Sequence, residues 1–216
     1  LETTAGQTTN QDFFLEPSCE VERLSTDVET MSGISEGWTN PSGTGTNDWR
    51  GEAGDDHTIG NGKSFVASDV AVVTDKSLVS PDIALSEGSE LVFWHQHQFE
   101  SSNDNYDGGV LEISVNGGNW TDLGSEITQN GYNGTLNGGF GQPLGARDAF
   151  VDSLGTFTEV RVDLSAYANQ TVNIRWRMGT DNSTSAGDWK VDDIQIFSQE
   201  PCVDNSDLIF ADGFEG

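Results

Sequence analysis

Along this chain apolar and polar residues alternate with a period of two over short segments separated by Gly, Asn, Asp and Ser, and no segment carries the 3.6-residue periodicity of a long helix. The clearest segment is Glu90–Phe99. There Leu91, Phe93, His95, His97 and Phe99 share one face, and Val92, Trp94, Gln96 and Gln98 share the other. Val110–Val115 directs Leu111, Ile113 and Val115 to one side and passes through Asn116-Gly117-Gly118, the signature of a hairpin turn, to Trp120. Phe157–Leu164 sets Val160, Val162 and Leu164 against Arg161 and Asp163, and Val172–Met178 sets Ile174, Trp176 and Met178 against Asn173, Arg175 and Arg177. Ser64–Val73, Lys76–Ile83 and Trp189–Phe197 complete the set. One wet face per strand predicts an all-β chain folded as an antiparallel β-sandwich (jelly roll).

The remaining segments define the organisation. Residues 1–18 are polar apart from Phe13-Phe14-Leu15 and read as a flexible lead-in; 19–203 form the domain and 204–216 a C-terminal tail. Residues 19–63 mix turn formers with Trp38 and Trp49, as expected of irregular loops around one or two short strands. Gly124–Leu154 is long, rich in Gly and Asn, and too polar for a core. Loops of that length in a compact domain are functional or disordered, so it is expected to be a binding loop or a decoration over one sheet edge.

Charge narrows the function. The 216 residues carry 36 acids against 9 Lys and Arg, a formal charge of −27, which excludes a nucleic-acid binder and a polybasic membrane-surface protein, since both need clustered cations. No apolar run approaches the roughly 18 residues of a spanning helix. No membrane insertion is expected, and the chain is expected to be a monomer. The acidity favours solubility and suits hard cations, whose ligands are oxygens. Cys19 and Cys202, the only cysteines, each follow a Glu-Pro pair in non-helical segments flanking the sandwich. They are read as a disulfide stapling its two ends rather than as two free thiols, which implies an oxidising, secreted location. No signal-peptide pattern opens the chain, so a mature or excised product is expected.

The order Asp27-Val28-Glu29, Gly37-Trp38, Asp48-Trp49, Leu78-Val79-Ser80-Pro81, Leu91-Val92-Phe93-Trp94-His95, Gly109-Val110-Leu111-Glu112-Ile113-Ser114, Val162-Asp163-Leu164 and Gly187-Asp188-Trp189-Lys190-Val191-Asp192-Asp193-Ile194 resembles the MAM-type jelly roll. It is most similar to the bacterial domains attached to immune-inhibitor-A-like peptidases and other secreted proteins. The resemblance spans roughly residues 20–198. It implies a galactose-binding-like sandwich, non-catalytic, secreted and stabilised by calcium. Most of the animal family's cysteines are missing, so adhesion by homophilic pairing is not carried over. The ending Leu208-Ile209-Phe210-Ala211-Asp212-Gly213-Phe214-Glu215 resembles the terminal segment of exported proteobacterial proteins, and equally the opening of a further module.

The resemblance nominates Glu29, Asp48, Asp69 and Asp193 as Ca2+ ligands, with Asp27 and Asp192 as neighbours. Strand alternation over Lys190–Phe197 adds that one of Asp192 and Asp193 must face apolar surroundings, where a carboxylate needs a cation or donors; backbone N–H donors from a nearby loop are the alternative to the metal. The acidic run Asn103–Gly108 starts like an EF-hand but has Ser114 at its twelfth position and no flanking helices, so it is read as a surface turn. His95 and His97 have zinc-ligand spacing on one strand face, yet they share that face with Leu91, Phe93 and Phe99 and are expected to pack in the core. No nucleophile and base can be paired, and no enzyme is expected. Two functional readings stay beside a module that positions a cell-surface protein or polymer. One is a carbohydrate-binding module using Trp94, Gln96 and Gln98 with the loop aromatics Tyr106, Trp120, Tyr132 and Phe140; the other is a purely structural or export-related domain. Trp38, Trp49, Trp176 and Trp189 are assigned to the core.

Overall fold

The computed structural model describes residues 18–25, 37–41, 43–54, 56–58, 62–101 and 104–202. Within them the chain forms two seven-stranded antiparallel sheets packed face to face. The first runs, in spatial order, β2 (Arg50–Ala53), β3 (Lys63–Ser68), β14 (Asp188–Pro201), β6 (Glu90–Gln98), β12 (Ser153–Asp163) and β9 (Ile127–Gln129). β1 (Ser18–Ser25) lies along the second half of β14, where β3 has ended. The second sheet runs β10 (Gly134–Thr135), β11 (Asp148–Val151), β7 (Gly108–Val115), β13 (Thr171–Thr180) and β4 (Thr74–Val79). β5 (Ile83–Ala84) pairs with β13 and β8 (Trp120–Asp122) with β7.

The period-two faces meet between the sheets as the sequence predicts. Phe93, Val160, Val162, Val191 and Ile196 from the first sheet pack on Leu78, Leu111, Ile113, Ile174, Trp176 and Met178 from the second. Trp38, Trp49, Trp176 and Trp189 are all buried in this core; Trp38 lies 5.7 Å from Trp176 and Trp49 lies 5.5 Å from Trp189, centroid to centroid. The turn after β7 has Asn116 and Gly117 both at positive φ, 51° and 71°, which is the backbone a two-residue hairpin needs and the reason for Asn-Gly at that place. Cys19 and Cys202 form the expected disulfide across the β1–β14 pair.

Two expectations are revised. The segment Gly124–Leu154 is not merely a polar loop. It supplies edge strands to both sheets, sends Phe150 into the main core, and joins Leu136, Leu144, Ala149 and Val151 with Val110 in a second apolar cluster. The alternation through Asp192-Asp193 also fails. Asp192 pairs with Trp94 and Gln195 with Val92, so three residues of β14 advance against two of β6, a β-bulge with Asp193 at φ 46°. Val191 and Ile194 both stay in the core. The two carboxylates between them leave on the outer side, where Asp192 is nevertheless buried and burial pushes its carboxyl up to about 6.

Candidate functional site

Four acids stand at strand ends along one rim of the sandwich. Asp69 follows β3, Glu100 lies just beyond β6, Asp107 precedes β7 and Asp181 follows β13. Carboxylate oxygens of Glu100, Asp107 and Asp181 lie within 4.8 Å of one another, the one such group of metal-ligand type among the described residues. Asp107 is fully buried. One of its oxygens accepts the Asp181 amide at 2.6 Å, and the other meets no N–H or hydroxyl donor; Asp107 faces the Asp69 carboxyl, and the two hydrogen-bond only when one of them holds a proton. Asp69 is also buried; one oxygen accepts the amides of Glu100 at 3.0 Å and Ala186 at 3.1 Å, and its second oxygen is likewise orphaned, as is Oε2 of Glu100. Burial, and then Asp69 facing it, push the Asp107 carboxyl up to about 9; burial raises Asp69, and burial with the Asp181 charge raises Glu100. Buried acceptors without donors are costly. A divalent cation satisfies several of them at once, and a set of carboxylates is the hard-oxygen shell that calcium takes.

The residues nominated as Ca2+ ligands are not gathered in this way. Only Asp69 belongs to the rim. Asp48 is held by Lys76, whose ammonium is 1% exposed and lies 2.8 Å from Asp48 Oδ1, and by Arg50 at 3.6 Å. Asp193 accepts His57 Nδ1 at 2.6 Å and the Thr58 hydroxyl at 2.7 Å, while Asp192 accepts the His57 amide at 2.9 Å. The donor alternative therefore describes the Asp192-Asp193 pair: a loop clasps the bulge. Glu29 and Asp27 lie outside the described residues. The turn ending at Asp107 is more than surface acidity, since that side chain is interior.

The proposed aromatic platforms differ in access. Trp94 is half-buried, and the His57 ring lies flat over it, 3.7 Å between centroids and 12° between planes. Gln96 donates to the Gly155 carbonyl at 2.8 Å, and Gln98 is exposed. On the outer face of the other sheet Trp120 carries the Arg175 guanidinium 4.3 Å above its ring. Tyr132 is anchored by its hydroxyl to the Leu111 amide and carbonyl at 2.8 and 3.2 Å. Tyr106 meets Phe140 edge-on at 5.6 Å beside the acidic rim, and Phe140 is 57% exposed at φ 56°.

His95 and His97 pack in the core as expected. Trp189 Nε1 donates to His95 Nδ1 at 3.3 Å, and the His95 ring stands edge-on to Phe150. His97 stacks on Phe99 and lies 3.1 Å from the Asp152 carbonyl. Burial holds His95 well below its ordinary value and His97 down at about 4.

No protein-family model and no curated protein matches the sequence. Among solved structures the chain is similar to the K3 cleaved adhesin domain of Lys-gingipain from Porphyromonas gingivalis, at 20% identity and a TM-score of 0.48 over 83% of this chain and 99% of that one. It is similar also to the CBM22-1 xylan-binding domain of Paenibacillus barcinonensis Xyn10C, at 12% identity and 0.47 over 87% and 99%. The family 11 carbohydrate-binding module of Clostridium thermocellum follows at 12% and 0.43 over 82% and 96%. Likeness at this level concerns the course of the chain and not what it binds.

Proposed function

We propose that this chain is a calcium-stabilised, non-catalytic binding module of a secreted protein, of the MAM-like kind, which positions a surface polymer or protein. The observation that carries the calcium is the rim cluster, in which Asp69, Glu100 and Asp107 each hold a buried oxygen without a donor. The disulfide supports an oxidising compartment. No helix among the described residues is long and apolar enough to cross a membrane. A non-catalytic role agrees with the fate of the histidines: His95 and His97 are spent on packing, and His57 is tied to Asp193.

Thermal unfolding of the chain in EDTA and in CaCl2 tests the reading. At a calcium concentration near 100 times Kd, binding to the native state adds about 2.7 kcal/mol, which raises Tm by roughly 5–10 °C for a domain of this size. An identical midpoint in EDTA and in calcium overturns it. Carbohydrate binding is favoured as the more specific form of this function by a groove at the second sheet lined by Tyr132, Arg147 and Asp148.

A further inference from the structure

On the outer face of the second sheet a groove of about 850 Å3 runs between the β8–β10 segment and β11. We propose that this groove binds a neutral oligosaccharide chain, an inference that rests on the binding-module reading above and names its ligand. Clefts for small ligands span roughly 300–1,000 Å3, so the size fits. Its working side chains are Asp122, Ser125, Tyr132, Thr135, Arg147 and Asp148.

The polar groups are fixed before any ligand arrives. Arg147 donates to Glu112 Oε1 at 2.7 Å and to Asp122 Oδ2, which leaves the other N–H groups of a guanidinium that is 29% exposed. Asp122 Oδ1 accepts the Gly124 amide at 2.6 Å, and Thr135 donates to Asp148 Oδ1 at 2.7 Å. Glu112 is buried beneath the groove, held by Arg147 from one side and Arg175 from the other. Against the penalty of its burial these two arginines keep Glu112 below the usual carboxylate range, so it stays ionised. The apolar wall is the Tyr132 ring, immobilised through its hydroxyl. Gly124 is what lets the loop close on that ring, since a Cβ there would stand 2.5 Å from Tyr132 Cε2. Side chains locked in this way lose little entropy on binding.

The charge pattern selects the ligand. Arg147 is matched by Glu112 and Asp122, and Asp148 adds a further negative charge, in a chain of net −27. An anionic sugar is repelled there. An apolar molecule finds a single aromatic among polar and glycine residues. A neutral pyranose chain, with apolar ring faces and hydroxyls that both donate and accept, meets Tyr132, the spare Arg147 donors and Asp148 together.

Affinity electrophoresis of the whole chain through gels containing xylan, mannan, galactan or mixed-linkage β-glucan, with alginate as the polyanion, tests this. Retardation is expected on at least one neutral polymer and not on alginate. The double variant Thr135→Ala/Asp148→Ala, on the short strands β10 and β11, is expected to weaken it about tenfold through two lost hydrogen bonds. Ser125→Trp, at an exposed position on the groove's rim, blocks the groove without removing a buried contact, and Trp94→Ala leaves retardation unchanged. No retardation on any neutral polymer, retardation on alginate, or retardation that survives both groove variants overturns the proposal. Calcium melting shifts in the same samples report on the module reading separately. A chain that responds to calcium but passes every gel freely refutes the groove alone, and a retarded chain indifferent to calcium refutes the calcium alone.

Discussion

Replacing Asp107 by Asn is expected to stabilise the metal-free chain and to blunt its response to calcium. In the metal-free protein Asp107 is buried against Asp69 with no cation to offset it, and its carboxyl is pushed up from 3.8 to about 9. The native state therefore holds a proton that the unfolded chain has released between those values, and stability falls as pH rises through that window. At pH 7 the penalty is on the order of 4 kcal/mol; at pH 5 it is less than about 2 kcal/mol. Asn carries no such penalty, and its amide has an acceptor waiting in the orphaned Asp69 oxygen. In EDTA at pH 7 the Asp107→Asn chain should melt on the order of 10 °C above the parent, with the margin growing from pH 5 to pH 8. In calcium at 100 times Kd the margin narrows by about 2.7 kcal/mol, because the parent gains stability from the ion and the variant lacks one of its charged ligands. Differential scanning fluorimetry of both chains, at three pH values and in both buffers, reads all of this. A variant that melts below the parent in EDTA, or that keeps the full calcium response, refutes the assignment of Asp107 to a cation site.

Three further outcomes follow from the same structure. His97, neutral in the core with its value held at about 4, makes the native state resist a proton that the unfolded chain takes up as pH falls below about 6.5. Stability should thus drop by up to about 3 kcal/mol between pH 6.5 and 4, and urea midpoints of His97→Phe should fall less over that range; an equal fall refutes the attribution. Reducing Cys19–Cys202 reopens a separation of 183 residues and should cost about 5 kcal/mol in the chain-entropy account, read as a lower urea midpoint with faster amide exchange in β1; an unchanged midpoint contradicts it. His57→Ala should expose the Trp94 ring that His57 covers, so acrylamide quenching rises relative to the same substitution in a Trp94→Phe background; equal quenching in both means that the stacked ring does not shield Trp94 in solution.

The strands were legible because each carries its own signal. The alternation in Glu90–Phe99 and Val172–Met178 is local, and so is Asn116-Gly117. What escaped was set by pairing between distant residues. The bulge at Asp192-Asp193 is invisible in β14 alone, since it exists only against the register of β6, and one inserted residue reverses every side chain beyond it. The strands inside Gly124–Leu154 escaped for a related reason. They are two to four residues long, too short to establish a period.

The rim acids were visible individually, each one or two residues from a strand end: Asp69 after Ser68, Glu100 after Gln98, Asp107 before Gly108, Asp181 after Thr180. Only the topology puts those four ends side by side. β14 begins between the ends of β3 and β6, and β13 ends beside the start of β7. A charge of −27 hides such a site among many solvated acids, and the cations are what separate it. Arg23, Arg50, Lys76, Arg147, Arg161, Arg175 and Arg177 are engaged by Glu200, Asp48, Glu52, Glu112, Asp122, Glu90, Glu159 and Asp75. The rim receives only the field of Lys76 on Asp69, from an ammonium already paired with Asp48. Among the described buried acids Glu112 is held by two arginines, and both oxygens of Asp192 accept backbone amides, from His57 and Asp193. Asp69 and Asp107 each keep one oxygen that meets no donor, and burial without a basic side chain leaves a proton or a metal ion to neutralise the group.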